Sequence, residues 1–199
     1  MLRDQALGAS GLLVTVVGGS PVNPYQPQGV WEETTFGAKK YVQGHGEDLY
    51  RRSLYTFWRR IVAPTIFFDN GSRQTCNVKQ PRTNTPLQAL TTLNDVTYLE
   101  AARALAARVL SSPPTDSVAR IEYAVRSLLA RAPSSDELRI LLSTLTRSQR
   151  EFEADPQAAE KLLQIGESPQ FRAVTPVEQA AFTVLCGTLL NLDETLTKE

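Results

Sequence analysis

His45, Glu47 and Asp48 put the chain's single imidazole and two carboxylates within four residues, just after the flexible Gly44. Such groups can pass protons to and from a substrate. With Asp69 joining from the next segment they could begin a metal site, but imidazole and hard-cation sites usually draw on about three ligands or more. No second His or Cys stands at ligand spacing, so no metal is assigned. The same residues also suit a hydrogen-bonded loop in which Asp48 caps the helix that follows. Glu47 and Asp48 then form ordinary i,i+4 ion pairs with Arg51 and Arg52.

A second group could hold a ligand. Arg51-Arg52 and Arg59-Arg60 flank Leu54, Phe57 and Trp58, an interleaving of cations and rings. Single-stranded nucleic acid is bound this way. A sugar or small anion would use the same guanidinium contacts and stacking ring, and a solvated helix face with a buried Leu54–Trp58 side needs no ligand at all. Arg82 and Asn84 stand immediately before a helix start, where backbone amides plus an arginine make either an anion site or a buried cap. Asn94 lies inside an apolar helical stripe, so its amide must find partners, or the helix must break there with Asp95 capping a new one. The in-phase continuation of the stripe favours one unbroken helix. The expectation is an aromatic loop folded back on this helix start. It would gather some of Arg51, Arg52, Arg73, Arg82, Asn84 and Asn94 around one polar centre, with Asp69 or Glu47 as counter-charge. Cys76 lies near Arg73 and Lys79, which would lower its thiol pKa if close in space.

The elements that must position these residues are mainly α-helical. Thr85-Pro86-Leu87-Gln88 is a capping box with proline at the first helical position. Leu87, Leu90, Asn94, Tyr98, Ala101, Leu105 and Val109 share one helical face. Thr115 or Asp116 opens a second helix, Ser134-x-x-Glu137 a third, Asp155-Pro156 a short fourth ended near Gly166, and Thr175-Pro176 the last. About five or six helices are expected in one domain over 1–199. A helix over 1–17 precedes a loop-rich aromatic and basic segment, 18–82, with a helix near 48–60 and at most a small hairpin at 34–42; a helical core follows over 83–199. Seven of the 11 glycines and ten of the 15 aromatic residues fall between Gly18 and Gly71.

Bulk properties narrow the function. The chain has 199 residues, 42% hydrophobic, enough for a real core, with 21 basic and 21 acidic side chains. Zero net charge argues against a protein held on nucleic acid by bulk charge, and no nucleic-acid partner is assigned. The cations are concentrated, however: residues 51–85 carry seven against the single acid Asp69. No apolar run reaches the ~18 residues of a membrane-crossing helix. Cys76 and Cys186 could pair in an oxidising compartment, though Cys186 reads as a buried apolar residue in AAFTVLCGTLL. Leu2, Ala6, Ala9 and Leu12 begin a helical stripe with no N-cap before it, so a start upstream of Met1 is expected. No signal-peptide zones precede the stripe.

RRSLYTFW, the Phe-Phe-Asp segment before Cys76, RTNTPLQAL, LND, EAARALA and NLDETLTKE resemble a planctomycete secreted domain family of unknown function, over nearly the whole chain. The resemblance implies an exported or cell-surface protein. It also implies that this domain follows a partner domain, often with a cytochrome-c-like module further upstream, and that MLRDQALGASGLL lies inside the domain. This chain has no C-x-x-C-H haem motif, so any haem would belong to that upstream module. Where family members usually carry Pro-Asp this chain has Gly71-Ser72, which leaves Asp69 without a second acid. The reading is a non-catalytic module of an exported multidomain protein, binding a partner domain, a glycan or an anionic ligand. The other reading is an enzyme using His45, Glu47, Asp48 and Asp69.

Overall fold

Six helices begin where a short polar side chain accepts a backbone N–H that the first turn leaves unpaired. Thr85 opens α3 (Pro86–Asn94), Asp95 α4 (Val96–Leu110) and Asp116 α5 (Ser117–Leu129). Ser134 opens α6 (Ser135–Ala154), Asp155 α7 (Pro156–Leu163) and Thr175 α8 (Pro176–Leu190). At Thr85 and Ser134 the box is reciprocal: Thr85 N–H donates to Gln88 Oε1 at 2.8 Å and Ser134 N–H to Glu137 Oε2 at 2.7 Å. These elements come from a computed structural model that describes residues 2–38, 40–57, 85–113 and 115–197. Three further helices complete the described set: α1 (Leu2–Ser10), α2 (Val30–Thr34) and α9 (Asp193–Leu196).

The core forms where α4 and α8 pack together. Ala101, Ala102 and Ala106 let the α8 backbone come close, while Leu105, Val109, Phe182, Leu185 and Leu189 fill the space between. Each of these larger side chains contributes roughly 1.5–3 kcal/mol by leaving water. Ile121 and Val125 of α5, and Leu141 and Leu145 of α6, close the bundle, and Ala6 brings α1 onto it. Cys186 sits in this core as a free thiol, so it does not serve as half of a disulfide. A second cluster of Leu7, Leu49 and Tyr50, with Leu12, Leu13, Val14 and Tyr25 around it, holds the N-terminal segment.

The mainly α expectation stands, but several boundaries move. Among the described residues there are nine α-helices, not five or six, because short ones at 30–34 and 193–196 carry no periodic signal and one long stripe is cut in two. That cut falls at Asp95, whose ψ of 136° is extended and whose side chain caps Thr97 N–H at 2.9 Å. Asn94 therefore lies exposed and donates to its own Leu90 carbonyl at 2.8 Å, rather than bracing a loop from within an unbroken helix. The first helix stops at Ser10 instead of reaching 17, since Gly11 turns left-handed with φ 81°. The region near 48–60 holds two 3-10 turns, Gly46–Tyr50 and Ser53–Tyr55, in place of one α-helix. Leu49 faces inward, while Leu54 and Phe57, placed on the buried side by their spacing, are exposed. Among the described residues of 34–42 no hairpin forms, because α2 ends there and Phe36 turns left-handed into solvent. Two isolated parallel bridges, Val14 with Arg51 and Val22 with Thr56, are the only extended pairing among the described residues.

Candidate functional site

The loop 44–48 is the first place to look for proton chemistry, and it lies on the surface. His45 reaches across the chain to Glu167, with Nδ1 2.7 Å from Oε1, and Gly46 N–H donates to the other Glu167 oxygen at 3.2 Å. Those two contacts hold the Glu167 carboxyl below its usual range, the histidine first. Glu47 and Asp48 are exposed and project from a 3-10 turn. The imidazole thus meets an acid, but one from the far half of the sequence, and all three residues are exposed. Among the described residues no group of three His, Cys, Asp or Glu side chains could hold a metal ion.

Arg51 is buried, and its guanidinium is spent on the backbone. Nη2 donates to the carbonyls of Val16, at 3.0 Å, and Gly18, and Nη1 reaches Ser20 O at 3.4 Å. The Tyr55 ring lies 4.2 Å beneath it, a cation–π contact. Arg51 therefore gathers the 16–20 turn, and a side chain at Gly19 would crowd it. Arg52 is exposed. The hydrogen bonds of Arg51 and Asn94 run to separate parts of the chain, so these two do not share the expected polar centre. Trp58, Asp69, Arg73, Cys76, Arg82 and Asn84 lie outside the described residues.

Two buried polar centres do exist, on residues the sequence reading passed over. In the first, Arg3 of α1 donates to Leu49 O at 2.6 Å and Arg51 O at 2.7 Å, while its neighbour Asp4 accepts from the Ser53 amide at 2.8 Å and hydroxyl at 2.6 Å. Loss of hydration lowers the Arg3 pKa, with Asp4 opposing. In the second, Glu100 on α4 is fully buried and accepts from Tyr50 OH at 2.9 Å and Ser168 N–H at 2.5 Å. Arg103, one turn on, donates to Ser168 O at 2.9 Å and lies 3.6 Å from Glu100. Tyr25 OH accepts from Glu167 N–H at 2.9 Å. Burial first, then Glu100 (by its charge at Tyr25 and by its hydrogen bond at Tyr50), raises both phenol pKa values well above the usual range, so both stay protonated. Gly166, at φ 85°, passes so close that any Cβ there would overlap the Glu100 carboxylate. This centre ties the 166–169 loop and the 46–50 turn to α4. The i,i+3 pair Glu100–Arg103 amid alanines was the available signal, since charges on an apolar face need partners.

A different feature is open to ligands. Between α7, residues 170–174 and the first turn of α8 runs a cleft of about 350 Å³. Its lining mixes apolar side chains with glutamines and one residue of each charge.

Comparison with known proteins gives a single family. Residues 1–145 match the family model described as PSD1, a protein of unknown function (DUF1553). No curated protein matches, and no solved structure matches.

Proposed function

We propose, from the premise that the chain belongs to the PSD1 family of proteins of unknown function, that it works as a non-catalytic docking module of an exported multidomain protein. The observation that carries this reading is the outer face of α3. Leu87, Leu90 and Leu93 are 74, 57 and 43% exposed, and Val96 at the start of α4 is 36% exposed. Leu87, Leu90 and Leu93, spaced three residues apart, form one apolar ridge along α3, and Val96 lies just past its end. A lone exposed leucine is ordinary on a protein surface, whereas a continuous ridge of them marks a place where another surface fits. The opposite face of α3 is anchored: Thr92 is buried and donates to Asn191 Oδ1 at 2.6 Å. The helix is thus held with its leucines outward.

Proton chemistry has weaker support. His45 already engages Glu167, and Glu47 and Asp48 are exposed. Catalytic acids and bases work instead in recesses that perturb them. The partner in this proposal is a neighbouring domain of the same polypeptide, and any haem belongs to that neighbour. Amide hydrogen exchange over residues 86–96 tests the reading, measured on this chain alone and on the chain joined to its neighbouring domains. Slower exchange in the joined form, restored to the isolated rate by Leu90→Glu, is the expected result. Equal exchange in both forms overturns it.

A further inference from the structure

The cleft beside α8 contains an amide that the fold leaves unused. Gln179 is only 3% exposed, lines the cleft, and has no side-chain hydrogen-bond partner among the described residues. Its amide atoms keep contact with the water of the cleft, so they face the opening rather than dry protein. A ligand seated in the cleft would hydrogen-bond this amide in place of that water. Gln164 and Gln170 line the same cleft, and no side-chain hydrogen bond of theirs is found among the described residues either.

The geometry points to a binding site for a neutral sugar. Each glutamine amide offers both donors and an acceptor, the complement of a ring of hydroxyl groups that also do both. Glu160 and Arg172 add one charge of each sign, so the cleft has no net preference for an anion or a cation. Phe171, Val174 and Pro176 supply an apolar wall, which suits the C–H face of a pyranose while its hydroxyls meet the amides. The volume falls at the small end of the ~300–1,000 Å³ typical of small-ligand pockets, room for one or two rings rather than a long chain. An extended peptide would call for a free strand edge or a long helical groove, and no strand occurs among the described residues.

This site is independent of the docking ridge. The anchored face of α3 meets α8 through Thr92 at Asn191, just past its end, while the cleft uses Pro176 and Gln179 at its start. At ~1.5 Å per residue, those ends lie roughly 20 Å apart. The cleft also lies wholly beyond residue 145, outside the family-model match.

The test is side-chain amide NMR on the ¹⁵N-labelled chain titrated with neutral disaccharides of glucose (β-1,4 and β-1,3), N-acetylglucosamine and mannose. A capped glycine–proline peptide and inorganic phosphate serve as the contrasting probes. Saturable shifts of the Gln164, Gln170 and Gln179 amides with at least one sugar are expected, together with at least a tenfold loss of affinity in Gln179→Leu. Gln170→Ala, at an exposed position, should also weaken binding and decides the matter should Gln179→Leu fail to fold. Shifts with the peptide or phosphate alone overturn the proposal, as does silence with every probe or binding undiminished in the variants. Leu90→Glu should bind sugar like the unaltered chain, so failure of the docking reading leaves this one standing.

Discussion

Arg131 holds two acids at once. Its Nη2 lies 2.7 Å from Glu137 Oε1 and 2.6 Å from Glu194 Oε2, joining the start of α6 to α9. All three side chains are well exposed, so the pairs add little in strong salt. They do leave a pH signature. The hydrogen bond from Arg131, then the one from Ser134 N–H, pulls the Glu137 carboxyl down to about 2. A carboxyl depressed in the folded state adds stability above the ordinary carboxylate range, and that stability is lost as pH falls towards the folded value. Glu137→Gln keeps a capping acceptor but removes the charge. Thermal unfolding at pH 6 should therefore favour the unaltered chain, with the gap closing between about pH 4.5 and about pH 2. A gap that stays constant over that window would show that the charge plays no part. The capping role of Glu137 was legible from Ser134-x-x-Glu137, because it is local. Its bond with Arg131, six residues before it, and the link to Glu194, 63 residues beyond Arg131, were not legible. The unused Gln179 escaped for the same reason: whether an amide on a helix finds a partner depends on the 170–174 segment laid over it.

Helix starts were the most readable elements in this chain, and the missed break at Asp95 shows the limit. Apolar phase runs unbroken from Leu87 to Val109, yet Asp95 ends α3 and caps α4. Phase alone reports neither whether the backbone between in-phase residues stays helical nor, on α3, which residues face inward, since Leu87 and Leu90 are exposed. Asp95 N–H still donates to Thr91 O at 2.8 Å while its own carbonyl accepts from Leu99 N–H at 3.0 Å, so the two helices share a residue with little lost bonding. Burial pushes the Asp95 carboxyl above its usual range, which makes the charge, unlike the cap, a burden. Asp95→Ala should then cost about 1–2 kcal/mol in chemical denaturation, and Asp95→Asn only a few tenths, since the amide oxygen still caps. Equal losses would mean that the carboxylate itself matters. The aromatic segment resisted this kind of reading. Its turns are set by Arg3 and Arg51 bonding carbonyls that lie tens of residues away, and no local signal announces that.

The N-terminal segment and the helical bundle meet along one polar seam. Tyr50 reaches Glu100, Ser168 closes over the same carboxylate, and His45 bonds Glu167 beside it, while α1 lies on α4. Tyr50→Phe deletes one donor to a buried acid, for which a loss of about 1–3 kcal/mol is expected. Hydrogen exchange should quicken on both sides of the seam, at 46–57 and at 163–170, if the halves open together. Faster exchange confined to 46–57 would show two separate units instead. The family match ends at residue 145, inside α6, yet the helix that completes the core, α8, comes later. The matched residues are therefore not a self-sufficient core, and their packing relies on the last third of the chain.

Cys186 gives that core a chemical readout. The thiol is free and fully buried, and burial alone lifts its pKa far above the usual range, so the reactive thiolate is suppressed in the folded chain. Iodoacetamide can alkylate it only in molecules whose α4–α8 contact has come apart. The labelling rate of the Cys186 peptide then equals the fraction opened multiplied by the rate for an unprotected thiol, as long as reclosing outpaces labelling. Opening can thus be timed in native buffer, without denaturant or heat, by mass spectrometry of one peptide.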